Sequence, residues 1–165
     1  MNDDSKAKFT ATVYIRGDKA YLPTLGDSGV MLREIAPVFV VAAKAEEIAR
    51  TLETLRQTGY PKIRQPTLYE IDLPDGYPLL KAAKVGSWKK LAQVAASYSV
   101  SWSPAGITLH VSKLDKKGRF VWDHPAKTQQ YSVDTDLRII TQAILDDAKS
   151  RPELQGKEPR GIRAI

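Results

Sequence analysis

The chain has no cysteine and only two histidines among its 165 residues, and these shortages restrict the chemistry available to it. Without cysteine there can be no disulfide, no thiolate metal site and no cysteine nucleophile. His110 and His124 offer little to a metal ion. The glycine-rich phosphate-binding patterns, the HExxH zinc pattern and the GxSxG nucleophile pattern are missing too. We therefore predict a protein that is not an enzyme, with no cofactor, metal or small-molecule substrate.

Long apolar runs are also lacking. The longest lies near "APVFVVAA" and is far shorter than the roughly 20 residues that a membrane span needs. The N-terminal sequence "MNDDSKAKFT" has no apolar core of the kind found in secretory signals. Together these observations predict a cytoplasmic protein with no membrane partner.

Positive charge is present in excess, with a formal net charge of +6. The basic residues are scattered along the chain, and the densest groups before the C-terminal tail contain Lys89, Lys90, Lys116, Lys117 and Arg119. Clustered lysine and arginine can contact nucleic-acid phosphates. These five residues therefore define one candidate function, a small basic nucleic-acid-binding accessory protein.

The length fits one domain. Polar composition predicts a disordered N-terminus over residues 1–8 and a flexible basic tail over 151–165, which leaves a single domain over 9–150. In the first half, the alternation of Phe9 to Ile15 predicts a half-buried strand that turns at Gly17. The return strand "KAYLPT" contains Pro23, so we expect it to lie or end at a sheet edge. "PVFVVA" (37–42) is typical of a central strand, and an amphipathic helix ending at Gly59 follows.

In the second half, Ser87 is expected to cap a short helix with Trp88 and Leu91 on its apolar side. "SYSVSWS" (97–103) then alternates, so its aromatic side is predicted to pack in a core, although sheet aromatics can also stack on RNA bases. Residues 97–133 are predicted to form a meander of three or four strands. Asp134 is expected to cap a last helix, on which Asp146 and Asp147 form a solvated face. The predicted fold class is α+β: an antiparallel sheet of about six strands, with an N-terminal hairpin and a C-terminal meander, packed by about three helices.

The proline-rich crossing over residues 60–78 contains two tyrosines and three acidic residues close together, and "TLYEIDL" within it has the pattern of a short strand. Such a loop is typical of a recognition surface for a basic protein partner, although an ordinary solvated loop has the same composition. The candidate partner-binding residues are Tyr69, Glu70, Asp72, Asp75 and Tyr77.

Two histidine positions could take part in chemistry. His110 lies on the polar side of a predicted strand, where a structural or solvent-facing role explains it. Asp123 and His124 precede Pro125, which is typical of a turn; the alternative is an acid–base pair, but no nucleophile is marked nearby.

Residues 84–123, "KVGSWKKLAQVAASYSVSWSPAGITLHVSKLDKKGRFVWD", carry a family resemblance. They resemble the immunity proteins of bacterial contact-dependent growth inhibition systems, in which a Ser-Trp-Lys helix start precedes a small-residue helix, two strands and a Gly-aromatic step. "VYIRGDKAYLPT", "VFVV" and the helix after them are similar too. The matching residues are Ser87, Trp88, Lys89, Leu91, Ala95, Gly106, Gly118 and Phe120.

The resemblance implies a non-enzymatic protein that binds and neutralises the toxic C-terminal domain of a cognate effector. Many such toxins are nucleases with basic clefts, and their inhibitors are commonly acidic, whereas this chain is basic. Either the inhibitory face is locally acidic, as at residues 69–77, or the toxin is not a nuclease, or binding lies away from its active site.

Overall fold

The structure is a computed structural model that describes residues 8–65, 77–114, 117, 120–121 and 128–151. The predicted strand "TLYEIDL" and the segments 1–7 and 152–165 lie outside these residues. The strands within them are β1 (Phe9–Arg16), β2 (Lys19–Asp27), β3 (Leu32–Ala42), β4 (Ala96–Ser103), β5 (Gly106–Val111), β6 (Lys113–Leu114), β7 (Phe120–Val121) and β8 (Gln129–Tyr131). The helices are α1 (Ala45–Thr58), α2 (Pro78–Ala83), α3 (Trp88–Val94) and α4 (Leu137–Lys149).

Six strands form one antiparallel sheet in the order β3-β2-β1-β4-β5-β8, and β6 pairs with β7 separately. The β1–β4 pairing, from Phe9 opposite Trp102 to Ile15 opposite Ala96, joins the N-terminal hairpin to the C-terminal meander. The predicted α+β fold class is confirmed. Of the predicted meander, β4, β5 and β8 lie side by side, whereas β6 and β7 leave the main sheet.

Two predictions about strand position are wrong. β2 is an inner strand, and it continues past Pro23 to Asp27. Pro23 is tolerated within it because the pairing with β1 stops at Tyr21 and the register with β3 shifts between Pro23 and Thr24. These breaks in the ladder accommodate a residue without an N–H group. β3 lies at an edge of the described sheet and not at its centre. Its apolar run is still needed, because Phe39 packs on one face and Val38 on the other.

The larger core lies on the sheet face that α1 and α4 cover. Tyr98, Val100 and Trp102 are at most 2% exposed there, which confirms core packing for the alternating aromatic segment. Ile48 and Leu52 of α1, like Ile140 and Ile144 of α4, are fully buried against the same face. Thr141 Oγ1 donates to the carbonyl of Ala45 at 2.8 Å, which fixes the two helices to each other.

The smaller core lies on the opposite face, under α2 and α3. Tyr14 of β1 and Tyr21 of β2 pack against Leu79 and Leu80 of α2 and Leu91 of α3. α2 was not predicted, although Pro78 at its first turn followed by paired leucines is a recognisable start signal. The sheet is therefore covered by helices on both faces at its β1–β2 side.

Helix caps follow the sequence in part. Ser87 accepts a hydrogen bond from the Lys90 amide at 3.2 Å and caps α3, as predicted. The cap of α4 is Asp136 and not Asp134, because the backbone becomes helical only at Leu137 and the Asp136 carboxylate accepts from the Arg138 amide at 2.9 Å.

The expectation that Asp146 and Asp147 both face solvent is half wrong. Asp146 is exposed, but Asp147 accepts hydrogen bonds from the Tyr98 hydroxyl at 2.7 Å and from Arg151 Nε at 2.9 Å. Arg151 Nη2 donates in turn to the Ser112 carbonyl at 2.7 Å. Arg151, assigned to the tail, therefore packs on the folded domain.

Gly106 is required where β5 meets β8. Its φ of +138° disfavours any side chain, and a Cβ atom there would overlap the Tyr131 carbonyl oxygen. We expect Gly106→Ala to lower the free energy of unfolding by about 2 kcal/mol, because strained backbone and a displaced strand both cost energy. Chemical denaturation measures the loss, and amide hydrogen exchange at residues 129–131 should accelerate.

Gly86→Ala is the matched control for this substitution. A Cβ at Gly86 would meet only the Lys90 ammonium nitrogen at 3.8 Å, an ordinary contact. Equal stability losses in the two variants would contradict the assignment of Gly106 to the close approach of β5 and β8.

Candidate functional site

Of the five predicted partner-binding residues, the structure describes Tyr77. Tyr69, Glu70, Asp72 and Asp75 lie outside the described residues. Tyr77 immediately precedes α2, and its ring packs edge-on against Trp88 of α3, with centroids 5.6 Å apart at 85°. The C-terminal end of the predicted recognition segment thus packs against the start of α3.

Trp88 was expected on the apolar side of its helix, but it lies at the boundary between core and solvent. Leu91 and Ala92 are buried, whereas Trp88 is 36% exposed. Trp88 and Tyr77 therefore form a partly accessible aromatic pair, and aromatic side chains of this kind commonly anchor protein interfaces.

The predicted basic residues are brought together only in part. Lys89 and Lys90 are both exposed on α3 beside Trp88, and Lys117 is exposed elsewhere. Lys116 and Arg119 lie outside the described residues. Among the residues that the structure describes, Lys89 and Lys90 thus form a small basic patch and not a continuous basic surface.

The two histidine predictions have different outcomes. His110 is half-buried on the polar face of β5, directly opposite Ser99 of β4, which fits a structural position. Asp123 and His124 lie outside the described residues. No group of three potential metal-ligating side chains occurs within the described part of the chain.

A buried polar cluster on the β1–β3 side was missed by sequence reasoning. The Tyr14 hydroxyl donates to Glu34 Oε1 at 2.7 Å. Glu34 Oε2 is buried and has no hydrogen-bond partner among the described residues, and Ser97, the residue opposite Tyr14 on β4, places its buried hydroxyl next to the Tyr14 phenol. Burial raises the pKa of the Glu34 carboxyl to about 7, and the Tyr14 hydrogen bond opposes that shift. The cluster can therefore gain or lose a proton near neutral pH.

Burial also raises the pKa of the Tyr14 phenol well above its usual value, and the Glu34 charge acts in the same direction. Tyr14 therefore stays protonated and remains a donor to Glu34. Nothing in the local sequence of Glu34 marked it, since "LREIA" is typical of an exposed connection.

Two surface features lie apart from these clusters. The β2–β3 turn carries three adjacent exposed apolar side chains, Val30 at 80%, Met31 at 56% and Leu32 at 40%. The turn is well defined, because Asp27 and Ser28 side chains accept hydrogen bonds from backbone amides within it. Elsewhere, a cleft of about 490 Å³ separates α1 from residues 133–138, with Trp102 at its floor.

None of the described helices is both long enough and apolar enough to cross a membrane. No protein-family profile matches the chain, and no curated protein matches it.

Solved structures do share its fold. A protein of unknown function from Neisseria meningitidis is 14% identical, with a TM-score of 0.60 over 92% of this chain and 99% of that chain. A chain of the CdiA-CT/CdiI toxin and immunity complex from Yersinia pseudotuberculosis is 12% identical, with a TM-score of 0.57 over 87% of this chain and 96% of that chain. At these identities the likeness shows the fold, and it extends over nearly the whole of each chain.

Proposed function

We propose that this protein is a cytoplasmic immunity protein that binds and neutralises the toxic C-terminal domain of a cognate contact-dependent growth inhibition effector. The observation that carries the proposal is the fold shared along nearly the full length with a chain of a toxin and immunity complex. The Ser87-Trp88-Lys89 step, which begins α3, supports it through the sequence resemblance. Neutralisation of this kind needs a complementary surface and no catalysis by the inhibitor.

The described surface offers features suited to a protein partner. The apolar β2–β3 turn exposes Val30 and Met31 on a rigid hairpin, and contiguous exposed apolar groups commonly mark binding sites. The Tyr77–Trp88 pair offers a second apolar anchor with restricted side-chain freedom.

The inhibitory contacts are assigned to Tyr69, Glu70, Asp72, Asp75 and Tyr77. Three carboxylates in one short segment would complement a basic toxin cleft, even though the chain as a whole is basic. Packing of Tyr77 on Trp88 would hold one end of the segment against the domain.

The first test is capture and rescue. A tagged chain is recovered from its native host with and without nuclease treatment, and any bound domain is then co-expressed with it in a sensitive strain. We expect a stoichiometric C-terminal domain of a large secreted effector that survives nuclease, and restored growth on co-expression. Nucleic acid alone, released as salt rises, would overturn the proposal and support the role built on Lys89, Lys90, Lys116, Lys117 and Arg119.

The second test assigns the surface. Neutralising Glu70, Asp72 and Asp75 together as Gln, Asn and Asn should weaken toxin binding at least tenfold, since charge-assisted contacts contribute strongly to such complexes. Neutralising the exposed Asp18, Asp134 and Asp146 makes the same change in net charge and is the control. Equal affinities for the two triple variants would place the inhibitory face elsewhere and leave the immunity function intact.

A further inference from the structure

The cleft beside α1 has one wall from a helix and one from a turn, and each wall is held by contacts within the domain. α1 contributes a stripe of residues from Glu46 to Arg56, and the opposite wall begins at Val133 and Thr135. The turn is held by the Thr135 amide, which donates to the Ser132 carbonyl at 3.0 Å. Trp102 forms the floor and is only 2% exposed, so its ring position is set by the core.

Arg56 is the arginine of this cleft for which the described part of the chain provides no ion pair. Its guanidinium carbon lies 5.4 Å from the centre of the Trp102 ring, which is a cation–π contact. Among the described residues, no carboxylate lies within ion-pair distance of Arg56. A half-buried arginine of this kind presents a fork of donors that matches a carboxylate.

The other two arginines of the cleft already have partners. Arg50 contacts Glu46 at 3.6 Å and Glu47 at 3.4 Å. Arg138 contacts Asp136 at 2.7 Å, and this pairing lowers the pKa of the Asp136 carboxyl to about 2, so Asp136 stays ionised and engaged. An incoming carboxylate would therefore be directed to Arg56.

The acidic residues of the lining select the kind of anion. Glu46, Glu53 and Asp136 surround the same space as Arg56. A polyanion such as a nucleic acid would bring several phosphates against these carboxylates, whereas a single carboxylate brings one negative charge, which Arg56 can pair. Val133, which is 49% exposed, gives the cleft an apolar wall for a neighbouring aliphatic group.

We propose that this cleft binds a peptide segment of a protein partner that presents one aspartate or glutamate carboxylate to Arg56 and an adjacent apolar side chain to Val133. The site lies on the α1 side of the sheet, opposite the Tyr77–Trp88 pair. It does not depend on the proposed immunity function, and it can be tested without a toxin.

The test uses two blocked dipeptides, acetyl-Leu-Glu-amide and acetyl-Leu-Gln-amide, titrated into ¹⁵N-labelled protein. The indole N–H resonance of Trp102 is assigned with Trp88→Phe and Trp122→Phe variants. We expect the glutamate peptide to shift this resonance saturably at concentrations of about 10 mM or below, the range of a weak single contact. The glutamine peptide should bind about tenfold more weakly, because it cannot form the charge-assisted pair.

Variants then assign the carboxylate to one arginine. Arg56→Gln should abolish the preference for the glutamate peptide, whereas Arg50→Gln, the same change of side chain nearer the start of α1, should keep it. Well-dispersed spectra show that both variants fold. Equal binding of the two peptides, no saturable shift, or an unaltered preference in Arg56→Gln would overturn the proposal. A short oligothymidylate that competes for the same resonance would also overturn it, in favour of a phosphate site.

Discussion

Asp147→Ala is expected to lower the free energy of unfolding by about 3 kcal/mol, because it removes the anion from a largely buried ion pair. Asp147 and Arg151 side chains are 16% and 14% exposed and lie 2.9 Å apart. The same carboxylate accepts from the Tyr98 hydroxyl, and Tyr98 is fully buried. The substitution removes the one carboxylate that accepts from both the Arg151 guanidinium and the Tyr98 hydroxyl in a largely buried site, which costs more than the lost attraction alone.

Two smaller effects reduce the loss in this variant. A negative charge near a helix C-terminus is unfavourable by about 0.5 kcal/mol, so its removal offsets part of the loss. Arg151 also keeps its hydrogen bond to the Ser112 carbonyl and its position over the Tyr98 ring, at 5.8 Å from the centroid. The buried pair still dominates, because solvent screens it little.

Asp146→Ala is the control, since Asp146 lies one residue earlier on the same helix and is exposed. It loses one contact with Gln142 at 2.9 Å and should cost about 0.5 kcal/mol or less. The double variant Asp147→Ala/Arg151→Met should be more stable than the sum of its single changes, because it leaves no unpaired charge. Urea denaturation compares the wild type with these variants and with Arg151→Met alone. Similar losses in Asp146→Ala and Asp147→Ala would disprove the role of the buried pair.

These two aspartates show where sequence reasoning stops. They are adjacent and chemically identical, and what separates them is contact with distant residues: Tyr98 lies 49 positions from Asp147, and Ser112 lies 39 positions from Arg151. Periodicity did predict that Tyr98, Val100 and Trp102 share a buried face, because alternation is a local property. Strand order is not local, so the apolar run of β3 was assigned to the centre although it lies at an edge.

The surfaces follow the same rule. Tyr77 was selected because the segment around it is rich in tyrosine and acidic residues. Its packing on Trp88, however, depends on how α2 and α3 dock on the sheet. Nothing in the sequence singled out Arg56, because its contact with the indole ring of Trp102 at the end of β4 exists only in the folded chain. Sequence patterns therefore identified the fold class and the buried faces, whereas the surroundings of Tyr77 and Arg56 depend on contacts between distant parts of the chain.

The free energy of unfolding is expected to fall as pH rises from about 4.5 to about 7, because the Glu34 carboxyl is buried. The pKa of a glutamate carboxyl is ordinarily 4.5, and that of Glu34 in the folded protein is about 7, because burial disfavours the charged form. Over this interval the folded state holds a proton that the unfolded state has released, so each added unit of pH favours unfolding. Below the interval both states are protonated, and above it both are ionised and the loss is complete.

The size of this effect is at most about 3 kcal/mol, from about 2.5 pKa units at about 1.36 kcal/mol each. It is an upper value because Glu34 as a residue is only half-buried, although its Oε2 atom is inaccessible and finds no hydrogen-bond partner in the described ranges. Glu34→Gln keeps an oxygen acceptor for the Tyr14 hydroxyl and has no charge to bury. The variant should therefore lose this pH dependence and exceed the wild-type stability at pH 8.

Tyr14→Phe removes the hydrogen bond from the Tyr14 hydroxyl to the Glu34 carboxylate, and it tests whether that hydrogen bond lowers the pKa of Glu34. The Tyr14 hydrogen bond lowers the pKa of Glu34, so removing it should extend the falling limb of stability to higher pH. Guanidinium denaturation between pH 4 and 9 compares wild type, Glu34→Gln, Tyr14→Phe and the exposed Glu46→Gln as the control for the substitution itself. A wild-type profile in Glu34→Gln would mean that Glu34 is ionised at no cost in the fold. In that case another group would have to donate a hydrogen bond to Glu34 Oε2 and stabilise its negative charge.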